Sequence, residues 1–182
     1  MIENELDVLR DVSQRLEGQG IKFMLTGSVA MNYYAQPRMT RDIDLVVALN
    51  ETQTEEFVSL FESDYYLDKK NVADAISRRG MFNLIHNETV IKVDFVVLKS
   101  DSYRLEEFAR RMTITLGDFQ TWIVSREDLI LSKLLWAKDS ESEMQRRDVR
   151  NLITPECDMN YLRSHAEFLG VIKDLEGLNF DE

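Results

Sequence analysis

Two stretches of this chain place acids where a sheet interior calls for oil. The first is Arg41-Asp42-Ile43-Asp44-Leu45-Val46-Val47, and its density of Ile, Leu and Val reads as a strand over 42–48. Positions two apart on a strand share a face, so Asp42 and Asp44 stand side by side while Ile43 and Leu45 turn to the core. Carboxylates held that close repel unless they are solvated or bridged by a cation. Taken alone, an Asp-x-Asp is short enough to match by chance, and a wet strand face explains it better than a site does. The second stretch, Val90-Ile91-Lys92-Val93-Asp94-Phe95-Val96-Val97-Leu98, shifts that balance. A lone carboxylate in such a run is expensive without a partner. An arginine such as Arg41 is one candidate partner; a cation shared with the Asp42 strand is the simplest. A hard divalent ion such as Mg²⁺ suits this donor set, because it commonly takes one or two carboxylates plus substrate phosphates. Asp42, Asp44 and Asp94 are then expected to converge at one edge of a mixed sheet, in a cleft facing the chain's helical part.

A third element lies upstream. Ile21 to Leu25 reads as a short buried strand that runs into Gly27-Ser28 and a helix over 29–34, which Pro37 ends. Backbone N–H groups at a helix start, with the helix dipole behind them, can hold a phosphate. Glycine permits close approach, and the Ser28 hydroxyl adds a donor. An ordinary strand-to-helix turn with serine as cap accounts for the dipeptide equally well.

The remaining periodicities outline the fold. Leu6, Leu9, Val12 and Leu16 mark a helix over 3–16, and further helices are expected over 51–62, 72–79 and 102–110. Strands are expected over 81–86 and 90–98, joined by a turn at Asn87-Glu88, and over 112–116 and 121–124 around Gly117-Asp118. From Ser125, a serine cap with an acid three residues on, everything reads as helix: 129–138, 141–152 and 159–169, with Pro155 between the last two. The class is α/β (α+β), a mixed central sheet flanked by helices. An α/β core over 1–124 carries a helical part over 125–182, and together they are expected to make one compact unit.

Composition removes several functions. The 182 residues carry a formal net charge of −11, which argues against nonspecific binding of nucleic acid, since that draws its affinity from cationic side chains on phosphates. The basic pairs Lys69-Lys70, Arg78-Arg79, Arg110-Arg111 and Arg146-Arg147 read best as solvated helix ends. No apolar run approaches the ~20 residues of a spanning helix, the acidic start lacks the blocks of an export signal, and the single Cys157 forms no internal disulfide. The cytoplasm is the expected compartment. His86 and His165 lack ligand spacing, and Trp122, Trp136 and Tyr33-Tyr34 read as core or cleft wall.

Gly27-Ser28, a gap of thirteen residues, Asp42-x-Asp44 and the later Asp94 together resemble the signature of the nucleotidyltransferase superfamily, whose fold is that of DNA polymerase beta. More narrowly, the chain resembles AbiEii-type toxins and their small bacterial relatives. The resemblance spans Ile21 to Leu152 and includes Glu127-Asp128-Leu129-Ile130-Leu131-Ser132-Lys133 and Arg146-Arg147-Asp148-Val149-Arg150-Asn151-Leu152. Asn151 stands where that group's helix carries a second acid. The resemblance implies Mg²⁺ on Asp42 and Asp44, with Asp94 holding a second ion or acting as base. It implies an NTP gripped by Gly27, Ser28, Arg41 and Lys133, with Asp148 orienting Lys133 or pairing with a local arginine. It further implies transfer of NMP to an acceptor (tRNA, protein or small molecule), and an antitoxin as partner. The acidic charge favours a small or protein acceptor over RNA. The competing reading is a nucleotide- or partner-binding module of the same fold without turnover, and the complete Asp42, Asp44 and Asp94 set favours the enzyme.

Overall fold

The computed structural model describes residues 2–40, 42–140 and 142–178. Helix α1 spans Glu5–Gly18, with the Asn4 side chain accepting from the N–H groups of Leu6 and Asp7. Strand β1 (Phe23–Thr26) runs without a loop into α2 (Gly27–Tyr34), and β2 follows at Asp42–Val47. A 3₁₀ turn (Glu51–Gln53) leads into α3 (Thr54–Phe61), then come β3 (Tyr65–Tyr66), α4 (Lys69–Arg78), β4 (Met81–His86) and β5 (Lys92–Val97). Helix α5 (Ser102–Ala109) precedes the hairpin β6 (Met112–Leu116) and β7 (Phe119–Ile123), and the chain closes on α6 (Arg126–Ser140), α7 (Glu143–Leu152), α8 (Met159–Phe168) and α9 (Ile172–Glu176).

The strands form one seven-stranded sheet in the order β3-β4-β5-β2-β1-β7-β6. Strands β2 and β5 pair in parallel, as do β1 and β7, and the other pairings are antiparallel. This is the mixed α/β sheet expected from the sequence. Alternation then divides β2, β4 and β5 into two faces. Ile43, Leu45, Leu84, Val93 and Phe95 are buried on one side, where Phe57 of α3 meets Phe82 and Phe95 edge-on at 5.3 and 5.4 Å. Asp42, Asp44, Val46, Asp94 and Val96 point the other way and are only partly covered or exposed.

Helix α6 is the central strut behind that second face. It buries residues on nearly every side, from Asp128 through Ala137, as a helix does when other helices surround it. Its start is fixed as the sequence suggested: the Asp128 N–H donates to Ser125 Oγ at 3.2 Å, and the Ser125 hydroxyl donates to the Asp128 carboxylate at 2.5 Å. The buried Asp128 also accepts from Tyr161 at 2.7 Å and from Arg110 Nε at 3.0 Å, which ties α8 and α5 to α6. Two elements lack a sequence signal long enough to read, the two-residue β3 and the five-residue α9. Among the described residues, no helix is long and apolar enough to cross a membrane.

Candidate active site

The parallel register of β2 and β5 sets Asp44 directly beside Asp94, and Asp42 beside Lys92. Neighbouring strands lie ~4.8 Å apart, so Asp44 and Asp94 are a facing pair on one face. Across the sheet the row continues to Thr26 on β1 and Asn83 on β4. The acids therefore share the expected face, but on the middle strands of the sheet rather than at its edge. The reason is that β1, the strand feeding the Gly-Ser turn, also pairs with β7, which extends the sheet beyond the site.

Gly27 closes the third side. Its φ of +64° is a left-handed conformation, and a Cβ built on it would sit 2.0 Å from Asp44 Oδ2, far inside any contact distance. Only glycine allows the helix start and this carboxylate to approach so closely. Thr26 provides no side-chain cap to α2. The Ser28 N–H instead pulls on the Asp44 carboxylate and lowers its pKa, which brings an acid from the neighbouring strand to this helix start. Gly27→Ala is accordingly expected to lose ~1–2 kcal/mol to backbone conformation alone and to push Asp44 aside. Thermal denaturation and nucleotide titration would check it, and wild-type values in both would show the approach to be unimportant.

Burial, and next the charge of Asp94, push the Asp44 carboxyl up to about 6, against the pull of the Ser28 N–H. An acid raised on folding costs stability when ionised. That cost is full at neutral pH and disappears as pH falls through 6 toward 4. In chelator, Asp44→Asn is therefore expected to raise the melting temperature by several degrees at pH 7, reflecting at most ~3 kcal/mol. The advantage should shrink on acidification; an advantage constant from pH 7 to pH 4.5 would contradict this origin.

Lys92 answers the remaining charge. Its Nζ lies 2.8 Å from Asp94 Oδ2 and 3.7 Å from Asp42 Oδ2, and the hydrogen bond it donates to Asp94 raises its pKa. Among the described residues, no three His, Cys, Asp or Glu side chains are drawn together as a ready metal shell. The donor set is nonetheless all oxygen, and the glycine cradle leaves Asp44 Oδ2 room that a side chain would fill. Those features fit a hard divalent ion, with Lys92 giving up its hold on Asp42 and Asp94.

On the helix side, Lys133 is buried, with Nζ 2.8 Å from Asp148 Oδ2 and 3.1 Å from Gln145 Oε1. Burial lowers its pKa, against the opposing hydrogen bond and charge of Asp148. Asp148 also accepts from Arg38 Nη2 at 3.2 Å, and the same nitrogen donates to Ser28 Oγ at 2.7 Å. Asp148 thus both orients Lys133 and pairs with an arginine. Ser28 Oγ accepts from Arg38, and its O–H, the donor expected for a phosphate, is not used in that bond. Asn151 is exposed, and Arg41 lies outside the described residues.

Two residues of this constellation, Arg38 and Lys92, were not singled out by sequence reasoning. Lys92 had a signal, since it precedes Asp94 by two and shares its face. Arg38 sits in the loop between the Gly-Ser helix and the Asp-x-Asp strand, held there by Asn32, which bonds both its backbone N–H and its carbonyl. Only the need of the buried Asp148 for partners hints at it.

Paired carboxylates on central strands, beside a glycine-started helix and opposed by a buried lysine, are an arrangement suited to phosphoryl transfer. Residues 12–153 match the family described as nucleotidyl transferase AbiEii toxin, Type IV TA system, and the chain belongs to that family of nucleotidyl-transfer enzymes. No curated protein is significantly similar to it in sequence. Among solved structures it is similar to an antigenic nucleotidyltransferase-like protein from Paracoccidioides brasiliensis, with 19% identity and a TM-score of 0.58 over 96% of this chain and 91% of that one. It is also similar to the antibiotic-resistance factor ANT(2'')-Ia (14% identity, TM-score 0.61, 95% of each chain). The lincosamide antibiotic adenylyltransferase LnuA matches at 13% identity and a TM-score of 0.55, over 84% of this chain and 98% of that one. At such identities these likenesses concern the fold.

Proposed function

We propose that the chain transfers an NMP from an NTP to an acceptor hydroxyl, using Mg²⁺ on Asp42 and Asp44 and Asp94 as base, as the toxin of a toxin–antitoxin pair. The observation that carries this reading is the in-register pairing of Asp44 with Asp94, with Gly27 pressed against Asp44. In the reaction the acceptor oxygen bonds to the α-phosphorus and the bond to the bridging oxygen breaks, releasing pyrophosphate. Asp94 takes the acceptor's proton once Lys92, 2.8 Å from it in the metal-free protein, has released the carboxylate. Lys133 and Arg38 bring two cations to the side of Asp44 where the leaving pyrophosphate accumulates charge. Mg²⁺ supplies charge neutralisation at the triphosphate when bound.

The family description motivates the antitoxin as partner. LnuA was solved with lincomycin bound, which makes a small-molecule acceptor one alternative to tRNA or protein. The roles separate experimentally. Asp94→Asn is expected to retain NTP affinity within about 5-fold while transfer falls ~10³-fold, the pattern of a group acting in the transition state. Calorimetry paired with a transfer assay measures both, and an equal loss of binding and transfer would move Asp94 from base to ligand.

A further inference from the structure

The acids do not end the cleft. A cavity of about 310 Å³ opens from Gly27, Asp44 and Lys133 and runs over Val46 and Val96 toward the far end of β5. From Asp94 to Leu98 that is about 13 Å, at ~3.3 Å per residue. The cavity's walls are mostly apolar, and the exposed Met81 and Trp136 stand at its rim. Three of its polar lining residues are bonded to one another. Glu107, 2% exposed, accepts from Ser132 Oγ and from Arg104 Nη1, both at 2.8 Å. Arg104 Nη1 also donates to Ser132 Oγ at 2.7 Å. Nothing in the phosphate chemistry described above uses this triad. A buried carboxylate clamped between an arginine and a serine is a costly feature on an otherwise oily wall.

We infer that this cavity seats the base of the donor nucleotide, with Arg104, Glu107 and Ser132 reading its hydrogen-bonding edge and Trp136 against its face. The inference rests on the nucleotidyl-transfer reading and adds to it the residues that select the NTP. A base is flat and apolar on its faces and carries donors and acceptors along one edge. The cavity offers the matching arrangement, mostly apolar walls with a bonded cationic donor and anionic acceptor, Arg104 and Glu107, set into them. The cavity shares Gly27 and Lys133 with the triphosphate side, so one molecule spans both. Each carboxylate oxygen of Glu107 accepts one bond within the protein and has capacity for another. That leaves room for an N–H on the base edge.

The test compares binding of the four NTPs and of inorganic triphosphate, with Mg²⁺, to wild type, Glu107→Gln and Trp136→Ala by calorimetry. Wild type is expected to favour one NTP by at least ~10-fold over the others and over triphosphate. Trp136→Ala, at an exposed position that the fold does not need, should weaken the favoured NTP by about 10-fold and leave triphosphate within ~2-fold. Glu107→Gln should narrow the preference among the four to less than ~3-fold. Wild-type preferences in both variants, or equal loss of NTP and triphosphate, would overturn the base site. Unchanged NTP binding with lost transfer in Trp136→Ala would give the cavity to the acceptor and overturn it as well. Wild type binding neither probe would overturn the nucleotidyl-transfer reading itself, a separate result.

Discussion

Asp44→Asn is expected to lower nucleotidyl transfer by ~10³-fold or more, on the order of 4 kcal/mol of transition-state stabilisation, in a protein that melts higher than wild type without metal. The two effects have one origin. Asp44 is packed against Gly27, faces Asp94 across a parallel strand pair, and has Asp42 two residues away. Three acids on one face serve a cation well and the empty fold badly, and the charges of Lys92 and, at Asp44, of Lys133 offset them in part in the metal-free protein. Removing the Asp44 charge at once relieves the fold and removes a carboxylate proposed to hold the Mg²⁺. Activity and melting temperature measured on one preparation test this coupling. A variant that loses activity because it unfolds, or that keeps activity while gaining stability, would break it.

The second large effect belongs to Asp148. This carboxylate, 1% exposed, is shared by Lys133 and Arg38. Asp148→Ala leaves a buried ammonium and a guanidinium without their common anion. Breaking a buried pair in this way costs about 3–5 kcal/mol, equivalent to roughly 6–20 °C for a chain of this size. Adding Lys133→Met in the same protein should recover part of that loss, because the stranded charge is gone. NTP affinity should not recover with it, since the double variant lacks the lysine proposed to meet the phosphates. Denaturation and calorimetry on the single and double variants read the two separately. Recovery of both stability and affinity would show Lys133 to be a structural residue only.

Much of the site is legible in the sequence because its parts break local rules. Asp94 is conspicuous in a run where every neighbour but Lys92 is apolar, and Asp42 and Asp44 are readable because a strand's period of two places them together. The strand and helix assignments around them hold to within a few residues, and β4 spans Met81–His86 as read. Pairing was the step that local pattern could not supply. That β2 lies between β1 and β5, which brings the acids together, is a long-range fact. Arg38 was hidden for a related reason: its partners, Ser28 and Asp148, are 10 and 110 residues away, and an arginine after a proline reads as a solvated loop. The triad of Arg104, Glu107 and Ser132 was equally silent, because on paper Arg104 and Glu107 are one more charged pair on a helix.

The central claim is tested most directly by transfer itself. Purified wild type and Asp44→Asn are incubated with Mg²⁺, a cell extract supplying protein, RNA and small acceptors, and each of the four NTPs in turn, radiolabelled at the α-phosphate. The expected result is label moved from at least one NTP onto an acceptor by wild type, with pyrophosphate released, and none moved by Asp44→Asn. NTP that raises the melting temperature of wild type while no acceptor gains label from any of the four would contradict turnover and leave a binding module of the same fold.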